Sequence, residues 1–185
     1  MDYWQVRKYP PIKKGEEKKS KIPTWTSIID IGQYYEGKEF TAEDYLFTED
    51  KYVEAVKIYT SSIQVHELEI YLINKLKEEL FLGHTLKYPE CYSAEIISLY
   101  YSLVDGAILS GKQIEHIVRL GMREDITCQL RFGNEFFLNF TYDYYMDIGS
   151  SIICEDAINQ IKETGLYIDL WEWPYQDNVW DPSPN

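Results

Sequence analysis

The stretch 136-FFLNFTYDYYMDI-148 alternates in character for thirteen residues. Phe136, Leu138, Phe140, Tyr142, Tyr144, Met146 and Ile148 fall on one face of an extended strand, with Phe137, Asn139, Thr141, Asp143, Tyr145 and Asp147 on the other. The first face has the composition of a core. The second combines two carboxylates, an amide, a hydroxyl and two aromatic rings, which a sheet can turn to solvent or to a partner. The run exceeds ordinary strand length, so a bulge or bend is expected near Tyr142 to Tyr144.

Just upstream, Ile126, Cys128, Leu130 and Phe132 alternate in the same way, and Gly133-Asn134 supplies turn chemistry. Register follows from parity. A two-residue loop would pair Phe132 with Glu135 and put the apolar sets on opposite faces. A three-residue loop, Gly133 to Glu135, pairs Phe132 with Phe136 and Leu130 with Leu138 and unites them on one face. The second register is the expected one.

Outward from this hairpin the pattern turns helical. Thr41 is placed to cap a helix over 42–61, with Glu43 and Asp44 at its positive end and Phe40 and Tyr45 placed as a hydrophobic staple. Tyr45, Tyr52, Val56 and Tyr59 continue at helical spacing. Residues 65–72 are expected as a strand and 74–92 as a loop with a short helix ending at Gly83. Residues 93–109 are expected as a buried helix. Ser110 and Gln113 form a capping-box pattern before a helix over 111–121. Ala157, Ile158 and Ile161 mark a short helix closing at Gly165, and 166–170 a final strand. The domain reading is therefore a basic, loosely held arm over 1–23 and a single domain over 24–185. Its fold class is α+β, an antiparallel sheet centred on the 125–148 hairpin with helices packed on it.

Charge narrows the partners. The net charge is −13 in 185 residues. The first 23 residues carry seven basic against three acidic side chains, a local +4 that leaves −17 for the remainder. Such a surface repels phosphate backbones and anionic membranes and favours a basic partner, and the high acidity also serves solubility. Seventeen Tyr and five Trp supply contact area with polar handles. The tail 171-WEWPYQDNVWDPSPN-185 is rich in such rings, and is expected to wrap the core or meet a partner.

Cys91, Cys128 and Cys154 are widely spaced and are read as reduced thiols of a cytoplasmic protein; no apolar run has signal-peptide or membrane-spanning character. His66, His84 and His116 are not spaced for a helical zinc site, and no nucleophile elbow or phosphate-binding loop is written. No cofactor or metal is expected. Asp143 with Asp147, or Asp169 with Glu172, are the candidate pairs for acid–base or divalent-metal chemistry. Four residues along a straight strand would put the first pair near ~13 Å, too far for glycoside hydrolysis.

Two segments resemble a known family. Trp25 to Ile28, Asp30 to Gly32 and Gly37 to Thr41, within 22–56, and Phe140 to Met146, within 140–148, are similar to the most recognisable segments of immunity proteins from bacterial contact-dependent growth inhibition systems. Thr141 and Asp147 depart from the pattern, which has Gly and an aromatic residue there. The resemblance implies a non-enzymatic cytoplasmic protein that neutralises a cognate toxin domain, often a nuclease with a basic groove. The partner is expected to be that toxin, with no nucleic acid and no membrane. Asp143, Tyr145, Asp147, Asp169, Glu172, Trp173 and Tyr175 are the expected toxin-binding residues: carboxylates for phosphate subsites, rings for the desolvated centre. The alternatives are a small carboxylate-dependent hydrolase and a structural or adaptor module.

Overall fold

The computed structural model describes residues 1–10 and 24–170. The hairpin has the expected register: strand β6 (Ile126–Phe132) pairs with β7 (Phe136–Phe140), Phe132 opposite Phe136 and Leu130 opposite Leu138. The long alternating run does not continue as one strand. It reverses completely, and β8 (Tyr145–Ser150) returns antiparallel to β7 with Phe140 opposite Met146. Asp143 and Tyr144 both adopt positive φ, 59° and 63°, and the Tyr145 N–H donates to the Tyr142 carbonyl. The Thr141 N–H donates to the Tyr145 carbonyl, so the loop between paired residues is Tyr142 to Tyr144, an odd length that keeps even-numbered residues on one face through the reversal.

Around this meander the remaining strands complete a seven-stranded antiparallel sheet. They are β1 (Asp2–Arg7), β4 (Glu67–Lys75), β5 (Ile108–Ser110) and β9 (Tyr167–Leu170), and the sheet order is β5-β4-β6-β7-β8-β1-β9. A separate two-stranded ribbon joins β2 (Tyr34–Tyr35) to β3 (Lys38–Glu39). The α+β class with helices packed on an antiparallel sheet is the observed architecture.

The expected loose arm is corrected over residues 2–7. β1 sits inside the sheet between β8 and β9, and Trp4 and Val6 point into the core at 4 % and 0 % exposure. Alternation over Tyr3 to Arg7 drives this: Trp4 and Val6 join Ile148, Met146 and Ile168 on the apolar face. The remaining arm residues 11–23, and the aromatic tail, lie outside the described residues.

Five helices complete the described fold: α1 (Ala42–Ser62), α2 (Glu78–Lys87), α3 (Ala94–Ser102), α4 (Lys112–Met122) and α5 (Glu155–Glu163). α1 begins as its cap predicts. Thr41 Oγ1 accepts the Asp44 N–H, Asp44 reaches back to the Thr41 N–H, and the Phe40 and Tyr45 rings meet edge to face. α2 runs through Gly83 to Lys87, with the His84 carbonyl accepting the Tyr88 N–H at its end; α3 ends at Ser102, and 108–110 pairs with β4 as an edge strand. Gly111, with φ 52°, caps α4, while the Gln113 side chain accepts the Ser110 N–H and so makes half of the expected box.

The helices lie on the apolar face. Tyr59 of α1 packs on Trp4 and Phe136, and Gly121 of α4 lets the helix come so near that a Cβ there would sit 2.5 Å from the Phe140 ring. Between α1 and α4 an ion cluster is sealed in. The Arg123 guanidinium holds the Glu49 carboxylate through Nε at 2.7 Å and Nη2 at 2.6 Å, and Arg119 adds a bond of 2.7 Å. Burial pulls Arg123 toward deprotonation, but Glu49 outweighs it and holds the guanidinium above its ordinary range.

Candidate functional site

The sheet's second face carries a polar row directly beside the hydrophobic one. Strand register lines up Tyr71, Gln129, Asn139, Asp147, Gln5 and Asp169 across six strands, one residue out of step with Ile70, Leu130, Leu138, Ile148, Trp4 and Leu170. Its centre is covered: Gln129, Asn139 and Asp147 are 0 %, 8 % and 2 % exposed. Gln5 Nε2 donates to Asp147 Oδ1 at 3.4 Å, and no cation is paired with that carboxylate among the described residues. Burial pushes the Asp147 carboxyl up to about 6. Arg131 donates to the Gln129 side-chain carbonyl and stacks 3.5 Å from the Tyr71 ring centre, whereas Gln129 Nε2 has no hydrogen-bond partner. At the other end Arg7 binds Asp169 at 2.5 Å.

The β7–β8 turn stands at one end of this face. Tyr144 points inward among Trp25, Tyr45 and Tyr52, and Tyr52 Oη donates to the Tyr144 carbonyl. Tyr142 points outward at 72 % exposure and Asp143 is exposed beside it. The Lys8 ammonium lies 3.2 Å from the Trp25 ring centre; burial pushes it down to about 7, against the opposing pull of Asp30 and Asp143.

Beneath the turn is a cavity of about 250 Å³ where the polar row meets the end of α4. Glu124, Thr127, Asn139 and Thr141 supply its polar lining, with Ile126 and Phe140 as apolar walls and Tyr142 also contributing. Burial raises the Glu124 carboxyl, and the charges of Asp143 and Asp125 raise it further.

Four of the expected site residues can be placed. Asp147 and Asp169 share one row through Gln5, and Tyr145 sits half-buried with its ring 5.6 Å from Tyr9. Asp147 is corrected as a surface contact, because β1 and β7 flank it and leave it 2 % exposed. Asp143 is displaced from the strand face into the turn, so the straight-strand spacing from Asp147 does not apply. Glu172, Trp173 and Tyr175 lie outside the described residues. Sequence reasoning had placed Asn139 on this face but missed Gln5, hidden in the supposed arm, and Glu124, which precedes a strand in no recognisable motif.

Elsewhere, His84 Nδ1 lies 2.9 Å from Asp125 Oδ1, and Tyr92 donates to the other oxygen at 2.7 Å. This bridge fastens α2 to the strand entry. Among the described residues no group of three His, Cys, Asp or Glu side chains is placed to hold a metal ion, and no helix is long and apolar enough to cross a membrane. No protein-family model, curated protein or solved structure matches this chain.

Proposed function

We propose that this protein is a cytoplasmic immunity protein that binds and neutralises a cognate toxin domain presenting a basic surface. The observation that carries this reading is the meeting of the two family-like segments. Trp25 and Tyr45 from the first pack on Tyr144 from the second, with ring centres 4.9 Å and 5.6 Å away, and Phe40 stacks on Trp25. Residues about 100 to 120 apart in sequence thus form a single packing unit. That the two segments pack together as one unit supports the reading.

Charge and the state of the carboxylates support binding over turnover. The net charge of −13 favours a basic partner. Of the candidate acid–base residues, Asp169 is tied to Arg7 and Asp147 is sealed beside Gln5. Of the expected contact residues that are described, Asp143, Tyr145 and Asp169 remain in this proposal, and the exposed Tyr142 joins them.

Co-purification with the product of the adjacent gene, together with growth rescue of cells expressing that product, tests the reading. A stoichiometric complex and rescue are expected. Failure of both, with hydrolytic turnover lost on Asp143→Asn or Asp169→Asn, would replace immunity by the hydrolase.

A further inference from the structure

Helix α2 turns its leucines outward. Of its ten residues only Phe81 is buried, while Leu80, Leu82 and Leu86 are 54 %, 42 % and 81 % exposed. A helix packed on the core of a monomer has the opposite arrangement, and neighbouring exposed apolar side chains mark a contact surface. Gly83, in the middle of this surface, is a second anomaly. Glycine destabilises the interior of an exposed helix. Nothing among the described residues requires it: its φ is not positive, and a Cβ there would meet no atom within 4 Å. The bare backbone is open only to a body that approaches from outside.

The charges on α2 narrow that body to one kind. Lys77 precedes the helix, Glu78 and Glu79 stand in its first turn and Lys87 in its last, so the patch is balanced in a chain whose net charge is −13. A basic protein is drawn to the acidic remainder of the surface. A helix that lies on a membrane carries a basic polar face, and the polar face of α2 is neutral. A second copy of this chain meets its own negative charge elsewhere, but not here. The residues are also disposed about Gly83 as an antiparallel copy requires: Leu80 and Leu86 lie three positions to either side, Glu79 and Lys87 four positions to either side. Laid antiparallel across Gly83, the acidic first turn of one α2 stands beside the basic last turn of the other, and the Leu80 turn beside the Leu86 turn. The Tyr101 hydroxyl donates to Glu78 at 3.1 Å and, at 48 % exposure, extends the patch onto α3.

We propose that this face is the contact of a two-fold homodimer in which α2 of each copy crosses α2 of the other antiparallel at Gly83. The three leucines supply the apolar contact, and the missing side chain at Gly83 lets the helix axes approach. A contact built on one ten-residue helix is at the small end of specific interfaces, so the dimer is weak and depends on concentration. The inference does not rest on the immunity reading and uses none of the residues assigned to a toxin.

Sedimentation velocity of the full chain from about 10 to 500 μM tests this, at about 0.15 M salt, where the repulsion between two chains of charge −13 is screened. A monomer–dimer equilibrium is expected. Leu86→Asp, at a position too exposed to matter for folding, should weaken it by about tenfold or more. Gly83→Gln should raise the melting temperature, since glutamine is the better helix former, and yet weaken the dimer. Glu79→Lys and Lys87→Glu should each weaken association, the first although it lowers the net charge. The two together should restore it, although the combination opposes the helix dipole. A monomer throughout, a dimer indifferent to Leu86→Asp and Gly83→Gln, or a double exchange weaker than both single ones would overturn the assignment. No toxin enters this experiment, so its failure leaves the immunity reading where it stands.

Discussion

The ring of Phe137 occupies the space over Gly149 on the adjacent strand: a Cβ at residue 149 would sit 2.1 Å from Phe137 Cε1. Tyr3, opposite Gly149 on the next strand, has its ring centre 6.0 Å from that of Phe137. Glycine weakens a strand by exposing backbone, and an aromatic ring laid over it restores the cover. Gly149→Ala should therefore lower stability by about 1–3 kcal/mol, as overpacking does. Phe137→Leu in the same background should recover part of the loss. Urea denaturation of the two single variants and the double variant measures that coupling.

The Glu49–Arg123 pair is buried at 0 % and 2 % exposure, so removing one partner leaves the other charged and uncompensated. Glu49→Ala is expected to cost about 3–5 kcal/mol, while Glu49→Leu with Arg123→Met should cost much less than the two single changes together. Equilibrium unfolding in guanidinium chloride separates these outcomes.

Asp147 gives a signed pH dependence. Its carboxyl is raised from 3.8 to about 6 by burial, so between those values the folded chain holds a proton that the unfolded chain has released. Its contribution to stability is accordingly greatest below pH ~4, declines as pH rises toward 6 and is lost above it, a swing on the order of 2–3 kcal/mol. Asp147→Asn should flatten this part of the profile and stabilise the protein at pH 7 to 8 relative to the wild type. Thermal melts of both proteins from pH 4 to 8 provide the measurement.

Binding to a basic partner should show the kinetics of charge steering. Association is expected to slow as ionic strength rises while dissociation changes little, in stopped-flow mixing across a salt series. Tyr145→Ala should weaken the complex by on the order of 1–3 kcal/mol with the fold retained. Leu138→Ala, in the core, should lower stability by roughly 2–5 kcal/mol and leave the folded fraction's affinity unchanged. A rate independent of salt would contradict the basic partner.

Why the sequence read the β7–β8 hairpin as one strand is a matter of parity. Phe140 pairs with Met146, so even-numbered residues stay on the core face before and after the reversal, and the alternation passes through the turn unbroken. Asp143 tolerates positive φ, but nothing about Tyr144 announces it. The hairpin before it was legible because Gly133-Asn134 marks the turn and apolar parity selects the register. α1 was legible because its cap, staple and period agree. β1 was not, since five alternating residues beside a basic run are overshadowed by composition, and their pairing depends on partners more than 130 residues away. At the site, periodicity located Asn139 and Asp147 on their face but could not reveal how deeply neighbouring strands cover them.

The place of β1 orders the assembly of the molecule in time. Its partners β8 and β9 lie at residues 145–170, so of the described strands this one is made before all others and waits longest for its neighbours. β9 pairs with no other described strand, and depends on that late insertion for its place in the sheet. Until then the meander must present an open margin at β8, with Met146 and Ile148 unsheltered on one side. A nascent chain of this protein is therefore expected to pass through a stage in which β4 to β7 are made while β1 still lacks both of its neighbours. That interval is when a holding chaperone would have its greatest effect on yield.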